Sequence, residues 1–315
     1  MSTTNSTKKA ILITGATGKQ GGATIKALLD AGALDSHKLL AVTRNPSSGS
    51  AEKLEAKGIT LVQGDLNDIP AIFSNAKTAL GGDGTKIWGV FSVQTAIGKG
   101  ASAESEEAQG KALVDAALAN DVKFFVYASV DRGGAKSYDN PTDVPHFISK
   151  HRIEHHLVDA AKSKGMQWAI LRPVAFMENF TPDFTTKVMS TAWKVAVKEK
   201  PLQLVSTRDI GWFAAQAFLR RGDFAGRSIA LAGDELTLSQ AKAVFKSRVG
   251  REMPETFQLV ARFILWFSAE FGSMFRWFYS EGFGADLKAL KAEHPGLLSW
   301  SEWLETESEW TKKTN

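Results

Sequence analysis

Cysteine is absent from the 315 residues. Disulfides, zinc–thiolate sites and cysteine nucleophiles are excluded with it. That fits a reducing compartment, and we place the chain in the cytoplasm or the nucleus. Long apolar runs are also missing. The start, MSTTNSTKKAILITG, is polar and turns directly into a short apolar strand, without the longer apolar core and cleavage site of a signal peptide. The most apolar segment, residues 262–283, reads RFILWFSAEFGSMFRWFYSEGF. It carries Arg262, Glu270, Arg276 and Glu281, which makes it a poor membrane span. A helix with an apolar face buried against the domain or a partner is expected there, with a membrane-surface helix as the alternative. The formal net charge is +4, and the positive residues are dispersed. No Lys/Arg run marks a nucleic-acid patch, so direct nucleic-acid binding is not expected. Internal repeats are absent. HExxH is absent too: His151 and His155 have ligand spacing, but no third ligand is evident, and a solvated helix face is expected instead of a metal site.

What is present is a rhythm. Short apolar strands are expected at 10–14, 38–43, 59–65, 86–93, 122–129 and 166–173. Helix-compatible segments lie between most of them, including 106–121 and 146–165. This alternation predicts an α/β fold, a Rossmann-type doubly wound parallel sheet covered by helices on both faces. Such sheets bind ligands at the carboxyl ends of their strands. After Pro173 the rhythm breaks into shorter pieces: a helix-like stretch, an LQLV strand, helices at 209–222 and 237–250, and a strand at 227–233. We therefore expect residues 1–173 as the Rossmann domain, with return elements at about 205–222. Residues 174–204 and 223–315 form a smaller C-terminal α/β lobe for a substrate or partner. Tryptophans 266, 277, 300 and 303 read as core or interface packing.

The stretch ITGATGKQGG, 13–22, follows the first strand and opens the first helix. Gly15, Gly18 and Gly21 permit a tight turn and let backbone amides approach a pyrophosphate, whose charge the helix N-terminus stabilises. At the end of the second strand an NAD site usually carries an acid. This chain has Arg44, followed by Asn45, Ser47 and Ser48. A guanidinium there suits a 2′-phosphate, so NADP(H) is expected in preference to NAD(H). After the third strand, Asp65 and Leu66 are placed to contact adenine, although an Asp in such a turn can equally cap the next helix.

Together TGATGKQGG, VTRNP, QGDLND, HFISK, LRPVAFMENF and STRDIG resemble the NmrA-like group of atypical short-chain dehydrogenases/reductases. The resemblance covers nearly the whole chain. It implies a Rossmann domain with a small α/β lobe and bound NADP(H). By matching motifs it implies Gly15, Ala16, Thr17, Gly18, Lys19 and Gln20 at the pyrophosphate, and Arg44 to Ser48 at the 2′-phosphate. It puts Asp65 and Leu66 at adenine, and Val93, Gln94 and Thr95 beside ribose and nicotinamide. Lys150 would hold the nicotinamide ribose, and Phe176, Met177, Glu178 and Asn179 would border the nicotinamide. Some relatives carry a further cofactor lysine where this chain has Ala108. The family includes NADP-binding regulators, such as a fungal repressor of nitrogen metabolism that acts through a transcription factor. It resembles more distantly the isoflavone and phenylcoumaran ether reductases, which are enzymes.

The catalytic candidates are His146 and Lys150, in VPHFISKHRIEHHL. Tyrosine-dependent reductases have a tyrosine four places before such a lysine. Here that place is His146, which either acts as a general acid or caps and packs at the helix start. Lys150 can bind ribose, serve as a base, or both. Ser129, after the fifth strand, stands where such enzymes keep a serine, or is a strand-end serine facing solvent. Two functions follow. One is an NADP(H)-binding, redox-sensing regulatory protein with little turnover, read by a protein partner such as a transcription factor. The other is an atypical NADPH-dependent reductase of an apolar or aromatic small molecule.

Overall fold

The computed structural model describes residues 8–81, 85–98 and 100–311. The polar start that argues against a signal peptide lies mostly outside the described residues. Among the described residues ten strands are formed: β1 Lys9–Ile13, β2 His37–Thr43, β3 Thr60–Gln63, β4 Ile87–Ser92, β5 Phe124–Ala128, β6 Gln167–Pro173, β7 Ala175–Phe176, β8 Leu202–Val205, β9 Ser228–Leu231 and β10 Asp234–Leu236. The first seven helices are α1 Lys19–Asp30, α2 Gly49–Glu55, α3 Ile69–Ala79, α4 Ala103–Ala119, α5 Pro145–Lys164, α6 Phe184–Ala192 and α7 Thr207–Leu219. Then come α8 Arg221–Phe224, α9 Leu238–Val249, α10 Gln258–Phe267, α11 Ala269–Ser280, α12 Leu287–Glu293 and α13 Trp300–Thr306.

Seven strands form one sheet in the order β3-β2-β1-β4-β5-β6-β9. The fold is Rossmann-like, as the alternation predicts. Ile11, Leu12 and Ile13 are fully buried, as is all of β5, because a parallel sheet covered on both faces has no wet side. Each buried Ile, Leu, Val or Phe side chain among them contributes about 1.5–3 kcal/mol of burial free energy. The β9 register follows from two bonds: the Ile170 N–H donates to the Arg227 carbonyl and the Val174 N–H to that of Leu231. Both offsets are equal, so β9 runs parallel to β6. The strand order reverses between β1 and β4, which makes their carboxyl ends the switch point of the sheet. A second sheet, β10-β8-β7, pairs β7 with β8 in parallel and β8 with β10 antiparallel.

The chain divides into two compact units. Unit 1 comprises residues 1–129, 152–171 and 210–228; unit 2 comprises 130–151, 172–209 and 229–315. Residues 130–151, through which the strand–helix rhythm runs without a break, belong to unit 2. The core of unit 2 is aromatic: Phe147, Phe180, Trp193, Trp277 and Trp300 are buried in one cluster. Trp300 stacks on Trp303 at 5.2 Å, and its indole N–H donates to the Ala241 carbonyl.

The apolar segment 262–283 departs from the expected single buried helix. Ser268 adopts an extended conformation (φ −97°, ψ 108°) and divides the segment, then caps α11 by accepting from the Phe271 N–H. α11 buries Phe275, Trp277 and Phe278. α10 buries Ala261 and turns its other side outward: Leu259 is 80% exposed, Phe263 60%, Trp266 80% and Phe267 76%. No helix among the described residues is long and apolar enough to cross a membrane.

Candidate cofactor and active site

In unit 1, Thr14 ties the end of β1 to the end of β4. Its N–H donates to the Phe91 carbonyl at 3.0 Å, and its hydroxyl accepts from the Val93 N–H at 2.9 Å. The next residue, Gly15, has φ +58°, and a Cβ there would fall 2.6 Å from the Val93 side chain. Only glycine meets both demands. The Gly18 N–H then closes the turn onto the Gly15 carbonyl at 2.9 Å, and α1 begins at Lys19. Gly18 has no side chain, so α1, a twelve-residue helix, begins without a side-chain cap. Such a terminus carries about half a positive charge and binds phosphate.

Two further observations fit a bound dinucleotide. The Gln94 side chain is nearly buried; its Nε2 donates to the Ser92 hydroxyl, while its Oε1 has no partner. The Gln20 Oε1 beside the loop is buried and without a partner as well. Orphaned buried acceptors cost about 1–3 kcal/mol each, which a ligand donor relieves.

Arg44 leaves the end of β2 exposed, and among the described residues nothing pairs with its guanidinium. The turn after it is self-organised. The Asn45 side chain accepts from the Ser47 N–H at 3.1 Å, and the Ser48 hydroxyl accepts from the Ala51 N–H to cap α2. Ser48 is therefore engaged, whereas Arg44 and Ser47 face outward. At the end of β3, Asp65 is not the helix cap. Its Oδ1 accepts from the Asn67 N–H at 2.8 Å, and the cap of α3 is Asp68. Leu66 is half-buried beside it. Thr95 is exposed, with its hydroxyl donating to the Ile97 carbonyl. Ser129 does not face solvent: it is buried, and its hydroxyl bonds to the fully buried Glu154.

In unit 2, α5 opens with Pro145, whose missing N–H costs nothing at that position. His146 and Lys150 follow four residues apart, one helical turn, on one face. His146 has a partner that lies 124 residues away: its Nδ1 is 2.5 Å from Oε2 of Glu270, in the first turn of α11. The same carboxylate oxygen is 3.4 Å from the His146 backbone N–H, so it also sits at the positive end of α5. Both side chains are largely shielded, at 11% and 25% exposure. No local signal in the sequence links them; Glu270 stands out only as an acid inside an aromatic segment. His151 Nε2 lies 2.9 Å from the Tyr138 carbonyl, and no cluster of metal-ligating groups occurs among the described residues.

The FMEN stretch is held within unit 2. Met177 is fully buried, and Glu178 Oε1 accepts from the Ser206 hydroxyl, the Thr207 N–H and the Trp303 indole N–H. That oxygen staples the start of α7 and α13 to the segment. Phe176 and Asn179 are half-buried.

The family model for NmrA-like proteins matches residues 7–305. The chain belongs to the NmrA-like family. Among curated relatives, the NmrA-like family domain-containing oxidoreductase ptmS of Penicillium ochrochloron is 30% identical over 178 residues, covering 55% of this chain and 49% of ptmS. The chain thus spans about half the length of that relative. Among solved structures, NADPH-dependent quinone oxidoreductase QOR2 of Escherichia coli, complexed with NADPH, superposes with a TM-score of 0.69 at 22% identity, over 94% of this chain and 98% of that one. NmrA, a negative transcriptional regulator, in complex with NADP gives 0.65 at 18% identity, over 96% of each chain. At these identities the two structures share the NmrA-like fold with this chain.

Proposed function

We propose that this NmrA-like protein binds NADP(H) and uses it to reduce an apolar or aromatic small molecule. The observation that carries the reading is the glycine turn above the Thr14 tie, where α1 begins without a side-chain cap at the sheet's switch point. These amides hold the pyrophosphate. Arg44, with Ser47, takes the 2′-phosphate by charge-assisted hydrogen bonds, and Asp65 accepts from the adenine amino group. Gln94 satisfies its orphaned oxygen on the cofactor. When bound, the reduced nicotinamide supplies a hydride. The similarity to the oxidoreductase ptmS and to the quinone oxidoreductase QOR2 supports the same reading.

Calorimetric titration with NADPH and NADH tests it. Arg44→Ala should weaken NADPH by about 10- to 100-fold, the worth of a hydrogen bond to a charged group, and leave NADH unchanged. Unchanged NADPH affinity in that variant would sink the assignment of the 2′-phosphate. A second reading is a regulatory protein that senses the cofactor without turnover. It is favoured by the exposed apolar stripe on α10, since patches of this kind mark contact with other molecules. Tight NADPH binding without oxidation by any quinone or aromatic carbonyl would select it.

A further inference from the structure

We propose that α10 seats the protein on an anionic lipid surface, with the helix lying in the plane of the bilayer. Leu259, Arg262, Phe263, Trp266 and Phe267 recur at spacings of three and four, which places them on one side of the helix. All five are exposed, the four apolar ones by 60% or more. The helix that carries them is fixed. Before it, the Thr256 N–H donates to the Thr191 hydroxyl of α6 at 2.9 Å, and Glu255 pairs with Lys194 and Lys242. After it, Ser268 caps α11, and Gly272 of α11 lies so close to the Leu265 carbonyl that a methyl group there has no room. Ala261 is fully buried beneath the helix. The stripe is thus presented by a folded scaffold, and nothing has to rearrange to expose it.

Charge decides the occupant. The carboxylates around α10 are engaged: Glu255 with its two lysines, Glu270 with His146, and Asp183 in capping α6. The cations are not. Arg262 in the stripe, Arg276 on α11 and Lys187 on α6 are exposed, and among the described residues no carboxylate pairs with them. Aromatic and aliphatic side chains among uncompensated cations are the composition that anionic headgroups attract and the acyl boundary accepts. Trp266 suits that boundary, since its ring is apolar and its indole N–H polar. Side chains this exposed project outward instead of lining a groove, and lipid moulds around each one. A twofold pairing of the stripe with a second copy would bring Arg262 against Arg262. No described helix is long enough to cross a bilayer, so attachment is shallow and reversible. The inference rests on neither reading of the cofactor site, since a reductase and a sensor could both sit on lipid.

Co-sedimentation with vesicles of phosphatidylcholine, and of equal parts phosphatidylcholine and phosphatidylserine, is the test. Binding to the mixed vesicles should be half-maximal at about 0.1 mM lipid or below, the strength of one buried acyl chain. Phosphatidylcholine alone should bind about tenfold more weakly. Each large apolar side chain is worth about 10- to 100-fold, so Phe263→Ser with Trp266→Ser should lower binding by about 100-fold or more. Both side chains are already in water, so this variant should keep the wild-type melting temperature. Arg262→Glu should weaken binding to the mixed vesicles by about tenfold, whereas Lys57→Glu, an exposed charge reversal in unit 1, should not. The chain has no cysteine, so Leu259→Cys accepts a single environment-sensitive fluorophore, whose emission should shift to the blue on vesicles. No co-sedimentation at about 1 mM lipid, undiminished binding by the double variant, equal loss from Lys57→Glu or an unshifted label would each overturn the proposal. A concentration-dependent dimer that Trp266→Ser dissolves, without vesicle binding, would give the stripe to a second copy instead.

Discussion

Gly21→Ala should abolish tight NADPH binding, with a loss of at least about 100-fold, or about 3 kcal/mol. A Cβ at this position would lie 2.3 Å from the Gly15 carbonyl oxygen, 2.5 Å from its carbon and 2.6 Å from the Thr14 carbonyl oxygen. All three are backbone atoms, so no rotamer change relieves the clash. Thr14 cannot retreat, since its hydrogen bonds fix it to the end of β4. α1 must therefore move, and its first-turn amides move with it. Overpacking of this kind also costs about 1–3 kcal/mol of stability. Gly49→Ala is the control: it begins α2, and nothing lies within 4 Å of a Cβ there. Calorimetry on both variants is the check. Wild-type affinity in Gly21→Ala would mean that the phosphate site lies elsewhere.

Asp131→Ala should destabilise unit 2 by about 3 kcal/mol or more, since each buried donor left without its acceptor costs about 1–3 kcal/mol. Asp131 is fully buried. Its Oδ1 accepts from the Gly134 N–H at 2.9 Å and the Ser137 hydroxyl at 3.1 Å. Its Oδ2 accepts from the Gly133 N–H at 3.2 Å and the Gly284 N–H at 2.8 Å. The loops at 133–134 and 284 touch backbone to backbone, with no room even for a methyl group at Gly134. Alanine takes the acceptor away from four donors. Asparagine should be nearly as harmful, because its NH₂ would face donors. Guanidinium midpoints should place Asp139→Ala, an exposed neighbour, within about 0.5 kcal/mol of wild type. If Asp131→Ala behaves like Asp139→Ala, the buried-acceptor account is wrong.

The sheet was legible because each strand from β1 to β6 is a short apolar run between helical periods, and burial on both faces forces that composition. The glycine turn after β1 was legible because glycine is demanded by local geometry, at Gly15 by backbone angle and at Gly21 by contact. β7 and β10, two and three residues long, leave no periodic trace. The bond from Glu270 to His146 was invisible for a different reason: it joins residues that only the tertiary fold brings together. The division of the apolar segment into two helices at Ser268 could not be foreseen either, because its extended backbone leaves no mark in the apolar pattern.

Neither unit is a continuous stretch of chain, and this matters during synthesis. β5 emerges with the apolar edge FFVYA, but its partner β6 starts 39 residues later, from 128 to 167. At ~5–20 residues per second the nascent edge waits about 2–8 seconds for its mate. An unpaired apolar edge is a template for aggregation. A chain stopped at Ser129 would present that edge permanently. Trimming the gene to residues 1–129 should therefore give an aggregating fragment rather than a minimal domain, and soluble yield on expression checks it.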